Sequence, residues 1–541
     1  MLPLLNLNQK LTTFLFFLIF FLIGIFLFQD YGISIDEDNT RIVGFLSLEY
    51  IFKIFFPEHV SLIKETISDQ RGAHSGFETS GVIFDLPMAF LELIFQIDDS
   101  KQYYMLRHFF NFFLFFISVY FFFLLVKKRY NSWTFGILGS LFLIMSPRIF
   151  ANSFYNNKDI VFMSLFIISL YAAINFLEKQ NYKNALIFSL FSAMLINVRI
   201  LGLFLPPLIF LIYIINILRD QNYKKEIIQP LILFLILTSL FTVLFWPYLW
   251  ENPIEHFLLS VKTLSSHNLN FYTYYLGQYF FSADPPWHYS LVWIFISTPF
   301  LYITLFIIGF FFIAQRTTRR LLRIDKNNSY IDLWRGKKEL QDLIFFLTFL
   351  IPLIIVIDSG SVSYDGWRHL YFIYPSLLLI AMLGIHLIMI TFFKKKKNYL
   401  LIISFILILP TIFWMYKNHP FQNVYFNFLA GKNYNEKFEM DFLGVSNKKA
   451  LEYISENEAG RTKIYSLSTT DLNLSKKILK KEIRETIEIV HDINYADYIT
   501  NNYRDWRGNL DPRKINIPKG FKILYEIKVD DVAINSIYKK M

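Results

Sequence analysis

Long apolar runs alternate with short polar loops along most of the chain. They fall near 11–28, 105–126, 133–147, 159–177, 184–198, 200–217, 229–247, 290–314, 342–357, 369–392 and 398–416. A helix of roughly 20 apolar residues crosses a hydrocarbon core. The pattern therefore predicts about eleven transmembrane helices. The runs at 133–147 and 184–217 are short or nearly fused. No small-residue cleavage site precedes Gln29-Asp30, so 11–28 reads as an uncleaved first helix rather than a signal peptide.

The loops alternate in charge. Lys127-Lys128-Arg129, Lys183, Arg219 with Lys224-Lys225, Arg316 through Arg323, and Lys394 to Lys397 fall on one side. The positive-inside rule makes that side cytoplasmic. The N-terminus is then inside. The loops 29–104, 148–158, 248–289 and 358–368, the tight turn at Asn197-Val198-Arg199 and everything after about 417 face outward. Within the first outer loop, 42–56 and 84–97 are apolar but too mixed to span, and read as helices lying at the interface. Residues 1–428 form the membrane domain on this reading. Residues 429–541 form a small extracytoplasmic α/β domain, with a helix over 448–457, strands at 463–467 and 496–500, and a hairpin about Asp530-Asp531.

Composition agrees with a polytopic α-helical membrane protein. Hydrophobic residues make up 54% and charged residues 18%, with 62 Phe. The net charge of +10 is explained by the basic loops and does not call for nucleic acid. There are no cysteines, which excludes disulfides, thiolate nucleophiles and Cys-ligated metals. No His pair has metal spacing, so no protein-defined metal site is expected. A divalent cation brought with a substrate stays open.

The candidate chemistry gathers on the outward face. Asp36-Glu37 supply carboxylates able to act as a base. Arg148, Lys158, Arg199, Arg368 and His369 supply cations suited to a phosphate whose lipid tail stays in the bilayer. Trp250, Trp287 and Trp367 offer flat faces for a sugar ring, and His74 and Asn156 offer polar contacts to a sugar or acceptor. Together they suggest glycosyl transfer from a lipid phosphate. Each has a plainer reading. The acidic pair suits a helix N-terminus. Arg148 and Lys158 suit head-group anchors, and the tryptophans suit the aromatic belt. Helix interiors are almost free of charge and no internal repeat is visible. Both facts argue against a non-enzymatic lipid-linked glycan transporter or assembly factor. An oligosaccharide ligase with a diphosphate donor is the other alternative.

At these residues the chain resembles the C-class (GT-C) glycosyltransferases. The likeness is to the family-39 branch of dolichyl-phosphate-mannose protein mannosyltransferases and bacterial aminoarabinose transferases. It rests on Asp36-Glu37 in the first outer loop, on Ser146-Pro-Arg-Ile-Phe-Ala-Asn-Ser-Phe-Tyr-Asn-Asn-Lys-Asp159, on Asp365-Gly-Trp-Arg-His-Leu-Tyr-Phe-Ile-Tyr-Pro375 and on His419-Pro-Phe-Gln-Asn-Val-Tyr-Phe-Asn427. It covers roughly residues 10–430. The resemblance implies a polyprenyl-phosphate sugar donor, inversion at the anomeric carbon, and Asp36 as the base with Glu37 as its orienting or acceptor-binding partner. It places the protein in a bacterial inner membrane with its site outside. The acceptor is a lipid, a glycan or a protein. No outer loop is long enough for the β-trefoil domain of the eukaryotic members, which weighs against a protein acceptor.

Overall fold

The computed structural model describes residues 2–67, 81–219, 227–265, 271–322, 333–393, 397–458, 460–508 and 517–541. Each apolar run identified above is helical. Seven of the helices are long and apolar enough to cross a membrane: 8–27, Ser100–Tyr130, Asp159–Glu178, 200–219, Phe300–Leu322, Gly336–Asp358 and 368–392. An eighth crossing results if Trp133–Ile144 and Pro147–Tyr155 count as one broken span. Tyr182–Val198, Ile228–Leu244 and 402–417 are apolar but shorter. Among the described residues, then, seven or eight helices meet the length of a full crossing, fewer than the eleven expected.

Two departures have local causes. The run 133–147 does not end in a simple loop: the chain bends by 70° at Met145-Ser146 and continues as Pro147–Tyr155. Pro147 sits at the first position of that second helix, where its missing N–H costs nothing. The run 290–314 is divided into Tyr289–Ser297 and Phe300–Leu322 on either side of Thr298-Pro299. A proline there cannot donate back into the preceding turn. Both breaks occur where apolar side chains continue, so hydropathy alone passes over them.

The segment between the first two long helices carries helices Glu37–Phe55, Val60–Thr66 and Asp85–Ile94. The first and last of these pack closely. A Cβ on Gly44 would lie 2.5 Å from the Asp85 carbonyl oxygen, so only glycine lets the helices approach this far. That contact holds the start of Glu37–Phe55 over the ends of the spanning helices.

The C-terminal part of the chain holds a five-stranded sheet. Its strands in chain order, after a small hairpin β1 (Tyr272–Tyr275) and β2 (Gln278–Phe281), are β3 (Thr462–Ser466), β4 (Ile487–Ile489), β5 (Tyr498–Asn501), β6 (Phe521–Val529) and β7 (Val532–Lys540). The order across the sheet is β4-β3-β5-β7-β6. β3 runs parallel to β4 and β5, while β7 is antiparallel to both its neighbours. The β6–β7 turn pairs Val529 with Val532 and sets Asp530 and Asp531 at φ 48° and 65°. A two-residue turn with both residues left-handed matches the twist of the strands, and aspartate tolerates it. The helix Asn447–Asn457 covers the sheet, as its apolar spacing predicts.

Candidate active site

Asp36 is the residue before the first turn of Glu37–Phe55 and makes no side-chain cap there. Its carboxylate instead takes a charge-assisted hydrogen bond from Nη1 of Arg368. The capping role suggested by its position is therefore not the one it fills. The same guanidinium reaches Asp159 Oδ2 at 3.2 Å, and its Nη2 reaches Asp365 Oδ2 at 3.2 Å. Arg199 pairs with the other oxygen of Asp159. Arg504, from the loop after β5, lies 2.6 Å from Asp365 Oδ1 and also pairs with Glu439. The Asp365 contacts are ion pairs by proximity and not aligned hydrogen bonds. Cations and carboxylates thus alternate from Arg199 to Glu439. Asp36 is the open member: its side chain is 33% exposed, while those of Asp159 and Asp365 are 1% exposed.

Local backbone explains the placement. Asp365 and Gly366 have φ of 54° and 69°. This pair of left-handed residues, held by the Gly366 N–H donating to the Tyr289 hydroxyl at 3.0 Å, turns the chain so that Asp365 and Arg368 face each other. Asn156 accepts from the Asp159 N–H at 2.9 Å and donates to Asp159 Oδ2 at 3.0 Å. It fixes the start of Asp159–Glu178 and with it the Asp159 carboxylate.

Asp36 opens into a cavity of about 1630 Å³. Its walls fall into three parts. Ile196, Val198, Ile200, Leu201, Phe204 and Val356 make an apolar wall. Asp36, Lys158, Arg199 and Arg368 make a charged middle, with the His369 ring beside them. Thr469, Asp471, Asn473, Lys477, Arg504 and Trp506 close it from the C-terminal domain. The Lys158 ammonium makes no hydrogen bond or ion pair among the described residues. Burial, reinforced by nearby Arg199, lowers its pKa to about 8.

The structure separates the sequence candidates. Asp36, Lys158, Arg199, Arg368 and His369 share the cavity, and Trp367 contributes to its wall. The Trp367 ring is buried, with its Nε1 donating to Ser297 Oγ at 2.7 Å. Glu37 is fully buried and faces away, accepting from the Ser34 N–H at 2.7 Å and lying 3.0 Å from His108 Nε2. Burial raises its pKa against the pull of His108. It holds the segment that carries Asp36 and has no open path to a substrate. Arg148 is also buried, donating to the Tyr425 carbonyl at 3.0 Å between the rings of Trp293 and Phe426. Trp250 donates to the Val243 carbonyl and packs near Tyr50 and Phe55, outside the cavity lining. Trp287 is 68% exposed and likewise stands apart. Asn156 acts behind the cavity, through Asp159. His74 lies outside the described residues.

Other participants are Asp159, Asp365, Glu439, Arg504, Trp246 and Trp506. A carboxylate beside each motif arginine could have been read from Lys158-Asp159 and Asp365-Gly-Trp-Arg368. Nothing local marks Arg504 or Trp506. A second buried network lies under the first loop. Glu92 accepts from Arg41 Nε at 2.9 Å and from Arg107 Nε at 2.9 Å, and Asp85 takes 2.9 Å from Asn157 Nδ2. Among the described residues no three His, Asp or Glu side chains are grouped to hold a metal ion.

Removing Glu37 should test its structural role. Glu37→Ala leaves the Ser34 N–H and His108 without their buried partner, at a cost of roughly 3–5 kcal/mol. A lower thermal midpoint in detergent is the expected result; an unchanged midpoint would return Glu37 to the list of substrate-facing groups.

The fold and cavity define a multi-pass α-helical membrane protein with one deep, charged chamber at the ends of its spanning helices. Residues 86–246 match the family model of the dolichyl-phosphate-mannose-protein mannosyltransferases. The expected resemblance to the C-class glycosyltransferases is thus shown, and this stretch carries Arg107, Lys158, Asp159 and Arg199. No curated protein matches the chain. A similar solved structure is that of ArnT from Cupriavidus metallidurans bound to undecaprenyl phosphate, at 10% sequence identity, with 97% of this chain and 98% of that chain covered and a TM-score of 0.43.

Proposed function

We propose that the protein is an inverting glycosyltransferase, moving a sugar from a polyprenyl-phosphate donor to a hydroxyl acceptor on the outer face of a bacterial inner membrane. The observation that carries this reading is the sharing of one chamber by an open carboxylate, unpaired cationic capacity and an apolar wall. The apolar wall suits the first isoprene units. Lys158 and Arg199 suit the phosphate, and the His369 ring lines the same part of the chamber. Asp36 then stands where an acceptor hydroxyl would approach. The hydroxyl gives its proton to Asp36, its oxygen bonds to the anomeric carbon, and the bond from that carbon to the phosphate oxygen breaks. The electron pair leaves with the phosphate, whose growing charge Lys158 and Arg199 offset. Attack from the side opposite the phosphate inverts the centre.

Arg368 takes a different part from the phosphate clamp that its sequence suggests. Three carboxylates already surround it. It holds the Asp36 carboxylate in place, leaving Lys158 as the cation with free donors.

Full-length protein in nanodiscs, given labelled polyprenyl-phosphate sugars and a crude envelope extract, should release free polyprenyl phosphate. Release with no donor would overturn the reading. Donor affinity should also depend on pH. Lys158 is charged below its pKa of about 8 and loses its proton above it. The donor KM should therefore rise between pH 7 and pH 9, and Lys158→Arg should flatten that rise.

A further inference from the structure

We infer that the C-terminal domain carries the acceptor subsite, where the loops that follow β3 and β5 face the chamber, and that the acceptor it takes is a glycan. The inference rests on the glycosyltransferase reading and adds the class of the second substrate.

Topology is the first observation. β4, β3 and β5 are parallel and adjacent, with β3 in the middle. The chain leaves β3 toward β4 on one side, and leaves β5 toward β6 and β7 on the other. The two connections leave the carboxyl ends of neighbouring strands for opposite sides of the sheet, the kind of switch point at which open α/β sheets bind ligands. The described parts of the two loops run side by side and are bonded to each other. The Thr469 N–H donates to the Arg504 carbonyl at 2.9 Å, and the Trp506 N–H to Thr469 Oγ1 at 3.2 Å.

Position is the second. The residues that the domain presents to the chamber come from these same loops: Thr469, Asp471 and Asn473 after β3, Arg504 and Trp506 after β5. These loops thus line the chamber that holds Asp36. Lys477 binds both oxygens of Asp38 at 2.9 Å and ties the domain to the start of Glu37–Phe55. The domain and the carboxylate are fixed relative to each other.

Size and chemistry name the occupant. A pocket for one small ligand is roughly 300–1,000 Å³. The chamber, at about 1630 Å³, has room for a second substrate beside a donor head group. The apolar wall and the cations Lys158 and Arg199 belong to the other elements of the chamber, which leaves the loops after β3 and β5 as the acceptor's side. They bring an amide, a carboxylate, one large ring and Arg504, which is already paired with Asp365 and Glu439. Trp506 is 46% exposed although its Nε1 is held by the Thr469 carbonyl, so an indole surface is fixed and bare. The Asn473 side-chain amide has no partner among the described residues. A fixed aromatic face beside a free amide suits a sugar ring, whose C–H face is apolar and whose edge is all hydroxyl.

The test uses full-length protein in nanodiscs with polyprenyl-phosphate sugars. Release of polyprenyl phosphate is measured against added methyl glycosides of mono- and disaccharides, and against Ser/Thr-containing peptides. At least one glycoside should accelerate release with a measurable KM. Trp506→Ala and Asn473→Ala should each raise that KM about tenfold or more, with the donor KM held within twofold. Asn473 is exposed at the surface, so its variant stays informative if Trp506→Ala unfolds. Acceleration by peptides alone, by no glycoside at all, or with both variants keeping the wild-type glycoside KM would each overturn the glycan subsite. Absence of release under every condition would instead overturn the transferase reading beneath it.

Discussion

Asp36→Asn should lower the transfer rate by about 10²–10⁴-fold, the range that a positioned general base contributes, while the protein keeps its thermal midpoint. Both halves follow from the geometry. The amide keeps the shape of the carboxylate and can still accept from Arg368, but it cannot take the acceptor's proton. Arg368 retains Asp159 and Asp365, so no buried cation is stranded. The other carboxylates facing Arg368 cannot substitute, because the side chains of Asp159 and Asp365 are 1% exposed and each is already held between two arginines. Release of labelled polyprenyl phosphate gives the rate, and thermal unfolding in the same detergent gives the control. A variant that transfers at the wild-type rate would remove Asp36 from the chemistry. A variant that loses both rate and midpoint would mean that the Arg368 pair holds the fold, and that the base must be sought elsewhere.

How far these roles were legible depended on whether their cause was local. The spanning helices were legible because apolar length is a local property. The breaks at Met145-Ser146 and Thr298-Pro299 were not, since apolar character runs on through both. Asp36, Lys158, Arg199 and His369 could be brought together on paper because alternating loop charge assigns their loops to one face, and one face of a helical bundle is a small area. That reasoning cannot separate residues on the same face by depth. Arg148 and Glu37 therefore stood with the others, although their side chains are buried against Trp293 and His108. Trp250 and Trp287 were chosen by residue type. The exposed indole inside the chamber belongs to Trp506, in a loop whose relation to the membrane depends on the whole sheet and its docking. Arg504 was out of reach for the same reason: its partner Asp365 lies in another part of the chain, and no periodicity connects them.

Arg504→Gln should be among the most destabilising single changes, with a pH dependence that identifies the cause. Arg504 is buried between Asp365 and Glu439. Burial pushes the Glu439 carboxyl up to about 7 even with Arg504 beside it, and raises Asp365 in the same way. Removing one partner of a buried ion pair costs roughly 3–5 kcal/mol. The loss should grow with pH. Without the guanidinium, both carboxyls hold their protons more tightly. Below about pH 5 they fold neutral and cost little. As pH rises through 7, the unfolded chain ionises them freely while the folded protein must either keep the protons or bury unpaired charge, so stability falls. The variant's deficit in thermal midpoint should therefore be larger at pH 8 than at pH 5.5. The double variant Arg504→Gln, Glu439→Gln should recover part of the midpoint, because it removes the carboxylate that the single variant leaves without a cation, whereas Asp365 keeps Arg368. Transfer should fall in the single variant as well. An unneutralised Asp365 competes with Asp36 for Arg368 and draws the guanidinium away from the base. A deficit independent of pH, with no recovery in the double variant, would reduce Arg504 to a packing residue. It would also cut the electrostatic connection between the C-terminal domain and Asp36.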